Sequence, residues 1–273
     1  MNRRLNAPIG ILLLVSAGVA CSMLRPKPPL TWHLLLQVDA PAPDRVAAVR
    51  QTIQVIQKRL LALGVSPWAI IVQGGESSGR LLVSLPEVAD RERLKQVITA
   101  GGKLELVHVI TPPTPAPVQT YATKEEAIAS LNIAGNIPEN RRVLPYADRT
   151  EPVGQASERK WVVVESPAII DGSVLRDASA SPSDYGEDYQ IRFSLNKTGA
   201  ERFGAWTGAN INEYLGVVLN DEVKSIAYIK SQISDQGVIS GRFTKQSAED
   251  LALVLRSGAL PAPIRIVEEG PNK

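Results

Sequence analysis

The sequence predicts an α+β protein of two successive units behind one hydrophobic N-terminal segment. Three observations predict it. Stretches with period-two apolar alternation take turns with stretches whose apolar residues fall three and four apart, so strands and helices are interspersed. The strand-like stretches are the more numerous and are joined by short glycine, asparagine or proline turns. Between Pro112 and Pro117 four prolines fall within six residues, which excludes regular structure and marks a boundary.

The 273 residues suffice for one large or two small domains, and 44% hydrophobic with 21% charged residues is ordinary for a globular chain. A net charge of +2, with acidic and basic residues interleaved, gives no case for nucleic acid. A single cysteine, Cys21, rules out an intrachain disulfide and a cysteine metal site. His33 and His108 are the only histidines, each most simply a strand residue, too few for most metal or triad chemistry.

Arg3 and Arg4 precede an uncharged run from Leu5 to Leu24. As an uncleaved anchor the run reaches the roughly 20 residues that cross a bilayer, and the early arginines put its start in the cytoplasm. As a cleavable signal, Ile9–Val19 is the apolar core and Gly18-Val19-Ala20 the small-residue cleavage site. As a lipoprotein signal, Cys21 is the acylated residue, although Gly18 stands where an aliphatic residue is usual. All three readings put the body from residue 30 onward outside the cytoplasm. The stiff Arg25-Pro26-Lys27-Pro28-Pro29 stretch then spaces the body from the membrane.

The first unit opens with a strand, Trp32–Val38. Asp44 opens a long helix whose Val46, Val49, Ile53, Ile56, Leu60 and Leu63 are spaced 3, 4, 3, 4 and 3, an apolar stripe ended by Gly64. Strands follow at Trp68–Val72 and Arg80–Leu85 around a glycine-rich turn, Gly74 to Gly79, then a helix at Val88–Thr99 with Leu94, Val97 and Ile98 inward. Leu104–Ile110 is expected to close the unit. Strand-helix-strand-strand-helix-strand is the order of a ferredoxin-like βαββαβ sandwich.

In the second unit Thr123-Lys124-Glu125-Glu126 is a capping box opening a short helix to Leu131. Residues 133–159 are expected to be loop with one or two short strands, and Trp161–Glu165 is a strand. Residues 170–178 read as a turn and short helix, 181–188 as a loop, and Tyr189–Leu195 as a strand. Asn196 caps a helix with Ala200, Phe203 and Ile211 on one face. Gly216–Leu219, an Asn220-Asp221 turn and Val223–Ile229 form a hairpin, followed by a strand at 238–243. Thr244 caps a last helix, with Leu251, Val254 and Leu255 inward and Gly258 at its C-terminal end. After Leu260-Pro261-Ala262-Pro263 comes a final strand, 264–268, expected to return to the first unit.

The run from Phe193 to Glu268 resembles the first large extracytoplasmic domain of SecD, the auxiliary subunit of the bacterial Sec export machine. The resemblance rests on FSL…GAERF, the LN-DEV hairpin, GVISGRFT and AEDLALVLRSGALPAPIRIVEE. It extends to Arg59, Leu63-Gly64-Val65, the LLVSLPEV…RLKQVI segment and residues 170–178. It implies a spacer and anchor at 1–29, a base at 30–111, a head at 112–260, and a hinge, return strand and tail at 261–273. Gly258, Pro261 and Pro263 are the candidate hinge residues, their prolines making a stiff lever. The family's GLDLxGG signature is missing before Trp32. Asn212 and Asn220-Asp221 stand where the family favours glycine and Asp-Gly, and both can take left-handed backbone angles.

No catalytic constellation is found, and the expectation is a non-enzyme without metal or cofactor. Asp184, Glu187 and Asp188 lack EF-hand spacing, and the Gly74–Gly79 turn joins strands, leaving phosphate no helix N-terminus. No second membrane span and no intramembrane proton relay follow the final strand, so the chain is expected to lack the family's proton-driven step. The function the resemblance implies is an export accessory that binds emerging unfolded preproteins outside the membrane, with SecF and the SecY-E-G channel as partners. Candidate contact residues are Trp206, Tyr214, Tyr228 and Ile229. The alternative is an envelope scaffold or lipoprotein that keeps this fold for other partners. An envelope enzyme is the remaining reading, and the want of a constellation weighs against it.

Overall fold

A computed structural model describes residues 28–111, 117–131, 137–147, 159–184 and 186–272. The N-terminal apolar run and Cys21 lie outside these residues. In chain order the elements are β1 (Trp32–Val38), α1 (Arg45–Ala62), β2 (Ala69–Gln73), β3 (Arg80–Leu85), α2 (Arg91–Thr99) and β4 (Leu104–Val109). Next come α3 (Lys124–Ala129), β5 (Arg141–Ala147), β6 (Arg159–Glu165), β7 (Ile170–Asp171), β8 (Leu175–Pro182) and β9 (Tyr189–Leu195). The chain ends with α4 (Lys197–Ala209), β10 (Tyr214–Leu219), β11 (Glu222–Tyr228), β12 (Gln236–Phe243), α5 (Lys245–Ser257) and β13 (Ile264–Pro271).

The base sheet runs β13-β1-β3-β2 with every neighbouring pair antiparallel. This is the strand order of a ferredoxin-like unit, and β13 holds the place of its fourth strand. The expected closing strand, Leu104–Ile110, belongs elsewhere: β4 pairs with β10, β6 and β7 in a second sheet. Leu104 and Leu106 pack on one face of β4, and Val107 and Val109 on the other. A strand that is apolar on both faces needs both covered, and the base sheet has one layer of helices to offer. The head is therefore an insertion between α2 and β13. Trp32, Leu34, Leu36 and Val38 of β1 meet Val49, Ile56 and Leu60 of α1 and Leu94 and Ile98 of α2 in the base core.

In the head, β10, β11, β5, β6 and β4 close into a small barrel, because β4 pairs with β10 as well as β6. Val107, Val109, Leu144, Val162, Val164, Val218 and Val223 fill it. The hairpin turn is as expected: Asn220 and Asp221 take φ of 50° and 60°, the double left-handed turn that matches strand twist. Outside the barrel, α4 and α5 pack with the sheet β12-β9-β8 around Phe193, Phe203, Ile239 and Leu255.

The caps follow the sequence. Asn196, Thr244, Thr123 and Asp90 each accept a backbone N–H of the first helical turn through their side chains. Because Asp90 is the cap, α2 starts three residues later than its apolar pattern. Two other expectations change. Residues 170–178 hold a two-residue strand, one tight turn and the start of β8 rather than a short helix. Ile211 lies beyond α4 and is 46% exposed, since the helix ends at Ala209 and the chain turns at Asn212, φ 74°.

Deleting residues 264–273 is expected to remove the fourth base strand while sparing the head. Hydrogen exchange should then show the β1 amides unprotected and the α4 and β10 amides unchanged. Full protection in β1 would mean that another strand can take the place of β13.

Candidate functional site: the junction of base and head

The chain crosses between base and head twice, at residues 100–103 and 258–263, and the two crossings lie side by side. The Leu260 N–H donates to the Gly101 carbonyl, and Asn220 of the head hairpin exchanges bonds with Lys103 through both backbone and side chain. At the far end of the connector the Asp39 N–H donates to the Pro263 carbonyl.

Arg59 sits at the centre of this crossing. It projects from α1, is fully buried, and donates through Nη1 to the carbonyls of Val97, Ile98 and Ala100 at 3.0, 3.1 and 2.6 Å. Its Nη2 donates to the Gly258 carbonyl at 3.0 Å. These are the open carbonyls at the C-terminal ends of α2 and α5, which have no helical partner and carry the negative ends of two helix dipoles. One guanidinium thus caps a base helix and the head helix together. Burial pushes it down to about 10, which leaves it charged at neutral pH. Gly102 makes the fit possible. Its φ is +73°, and a Cβ there would lie 2.7 Å from Val254 Cγ1 and 3.3 Å from Arg59 Nη2.

Around this clamp Val97 of α2 packs with Leu253 and Val254 of α5. Arg93 of α2 forms a forked ion pair with Asp250 of α5, at 3.0 and 2.8 Å, and the pairing raises the arginine further. On the barrel side Arg142 donates to Glu105 at 3.0 Å, and Lys103 reaches both Glu105 and Asp221. Burial alone would lower Lys103, but the bond to Asp221 and the charges of Glu105 and Asp221 outweigh it and raise the lysine. Of the candidate hinge residues, Pro261 and Pro263 line a cleft of about 390 Å³ between Thr99, Lys103 and Asn220 on one side and Pro261–Ile264 on the other. Gly258, with φ of 91°, ends α5 and offers its carbonyl to Arg59.

The candidate contact residues are not one patch. Ile229 is fully buried and has no surface to offer, a correction to its expected role. Trp206 is half-buried on α4 and meets His108 edge-on at 5.4 Å. Tyr214 and Tyr228 pair across β10 and β11 with ring centres 5.3 Å apart. Tyr228 is 40% exposed and donates from its hydroxyl to Asn212, beside exposed Ile211. Among the described residues no group of histidine, cysteine and carboxylate side chains could hold a metal ion.

Two family models match this arrangement in order: the N-terminal part of the P1 domain of protein translocase subunit SecDF over residues 49–111, and the SecDF P1 head subdomain over residues 146–262. Over 229 residues the chain is 38% identical to protein translocase subunit SecD of Koribacter versatilis. The chain belongs to the SecD family. That match covers 82% of this chain and 39% of the Koribacter subunit. SecD of Aquifex aeolicus is 35% identical over 227 residues, 82% of this chain and 40% of that subunit. The chain thus spans about two fifths of the length of these two SecD relatives. A solved SecDF chain, described as a membrane component that enhances protein export, superposes with a TM-score of 0.62 at 27% identity. It covers 86% of this chain and 98% of its own length. SecDF in a super-membrane-facing form gives 0.64 at 25% identity, over 88% of this chain and 30% of that one.

Arg59 carried a sequence signal that periodicity reading passed over. It is a charged residue three positions after Ile56 and directly before Leu60, on the arc the stripe buries. The Arg93–Asp250 pair and the neighbours of His108 carried none, because their partners are remote in the chain.

Replacing Arg59 with methionine is expected to destabilise the protein by roughly 3 kcal/mol or more, since several charge-assisted bonds to buried carbonyls are lost together. Arg59→Lys should recover only part, a lysine being unable to span both helix ends. Urea unfolding followed by circular dichroism measures both. A loss under about 1 kcal/mol for the methionine variant would mean that water satisfies those carbonyls.

Proposed function

We propose that this chain serves Sec-dependent protein export as a SecD-type accessory outside the cytoplasmic membrane, where its head holds emerging unfolded preprotein while the base stays near the membrane. The single observation carrying this reading is the two-part SecD match, base and head in order, on an architecture that superposes on SecDF. The proposed partners are SecF and the SecY-E-G channel. Tethering is proposed to come from the apolar run at residues 5–24 or from lipid on Cys21, and no helix of the described residues is itself long and apolar enough to cross a membrane. The proposed role is non-enzymatic and needs no cofactor.

Contact with the unfolded chain is proposed to be weak and tolerant of sequence, through exposed apolar side chains and open strand edges. Tyr228 and Ile211 supply such side chains at the α4–β10 end of the head, and β12, an edge strand among the described residues, has Val238 exposed.

Mild-detergent capture of the tagged protein from membranes is expected to recover SecF or channel subunits. Clean recovery of other envelope proteins, without any of these, would favour the redeployed-scaffold alternative. In a binding assay with an unfolded preprotein, the Ile211→Ser, Tyr228→Ser double variant should retain the fold and lose binding. Its stability cost is about 1–2 kcal/mol, since Ile211 is exposed and Tyr228 contributes an edge-on ring pair and one surface hydrogen bond. Unchanged binding would remove this patch from consideration.

A further inference from the structure

His108 lies near the end of β4, where the barrel rim, α4 and the segment between α4 and β10 converge. Its two ring nitrogens face two different carboxylates. Nδ1 is 3.1 Å from Glu165 Oε2 at the end of β6, and Nε2 is 3.3 Å from Glu213 Oε2 just before β10. The ring is mostly shielded, with Trp206 of α4 edge-on against it. A neutral imidazole has one donor and one acceptor, whereas an imidazolium has two donors. Two ionised carboxylates on opposite nitrogens can both be hydrogen-bonded only by the imidazolium form.

The two arms are not equivalent. Glu165 is also held by Arg141 of β5, at 3.1 Å through its other oxygen. Among the described residues, Glu213 has His108 as its one side-chain ion partner. Arg202 of α4 is the charged group that lines the same surface as Glu165 and Trp206, and its guanidinium donates to the Ile169 carbonyl. Lys197 and Glu201 pair with each other at the start of α4, Glu105 of β4 is held by Arg142 and Lys103, and Arg159 and Lys160 lie at the opposite end of β6 from Glu165. Leu215 lies opposite His108 on β10 and brings no charge. Loss of one ring proton leaves a single N–H for two carboxylates and removes the positive charge between them, so the link to Glu213 weakens whichever nitrogen keeps the proton, while Arg141 still holds Glu165.

We propose that His108 is a proton-dependent tie for the segment 210–213: protonated, it fastens Glu213 to the β6 end of the barrel, and neutral, it lets that segment loosen. The segment is built to respond. Asn212 holds a left-handed φ of 74°, and the segment's backbone bonds are Asn210 N–H to Thr207, Asn212 N–H to Ile229, Glu213 N–H to Asn210 and Ile229 N–H to Glu213, with side-chain bonds from Asn210 to Trp206 and from Tyr228 to Asn212. The exposed Ile211 moves with it, so acidity would set how rigidly the head presents that apolar side chain. Histidine is the side chain that ordinarily changes charge between about pH 5 and pH 8. The tie stands or falls independently of whether Ile211 touches an unfolded chain.

Hydrogen exchange of the whole protein at about pH 5 and about pH 8, corrected for the intrinsic rate, tests it. Protection of the Asn212 and Glu213 amides is expected to fall about threefold to fivefold at the higher pH, the scale of a partly exposed ion pair. α1 amides in the base, an element without histidine, serve as the reference. Glu213→Gln and His108→Gln should each abolish the pH dependence. The glutamine at 213 is the safer variant for folding, because that side chain is partly exposed. Equal protection at both pH values in the unmodified protein, or a dependence that survives Glu213→Gln, would overturn the proposal.

Discussion

One guanidinium decides how the two halves of this molecule sit together. Helix ends leave carbonyls that need donors, and an interface formed where two helices end side by side would bury several of them unpaired. Arg59 reaches from a third helix and satisfies four such carbonyls, on α2 and on the residue that ends α5. Taking a charge out of water is costly, and an arginine can bear it here because its planar fork meets fixed acceptors. Gly102 and Gly258 then follow as consequences: one lets α5 approach, and the other ends the helix where its carbonyl can be captured.

This clamp makes sense of the insertion. A head carried between α2 and β13 leaves and re-enters the base at neighbouring points, so both connecting strands of chain must pass one narrow place. Their cross-bonds, Leu260 to Gly101 and Asn220 to Lys103, hold the two passages together. The proline-containing connector is therefore tied at both ends, and head movement about it has to act against Arg59 and the Arg93–Asp250 pair. It also follows that the base sheet cannot be completed until the whole head has been made, a long-range closure of the kind that slows folding.

The surface of the head divides along the same lines. The barrel interior, the layer between α4, α5 and the three-stranded sheet, and a smaller cluster under α3 take most of the large apolar side chains, Ile229 included. What is left for a partner among the described residues is small and scattered, a few side chains such as Ile211, Tyr228 and Val238. A surface of that kind suits weak contact with chains of many sequences better than tight recognition of one.

Most of the elements were legible in the chain itself, because helices and strands are written in local periodicity, caps and turns. Asn196 and Thr244 start helices where a side-chain acceptor is needed, and Asn220-Asp221 turns the hairpin because those residues tolerate positive φ. Partner choice was not local. Leu104–Val109 reads as a strand on any window, but only the finished fold puts it in the head and gives its base position to β13. The stripe on α1 likewise marked the face toward the base sheet and missed the face toward α5, where Val55 and Arg59 are buried. The same holds for His108: its residue type was visible, and the two carboxylates that give it meaning come from elements 57 and 105 positions further along the chain. Sequence alone determined which segments are helix or strand and what family pattern they follow. Tertiary structure alone decided which strand completes the base, what Arg59 holds, and which charges face each other, since each depends on residues that meet only after the chain has closed on itself.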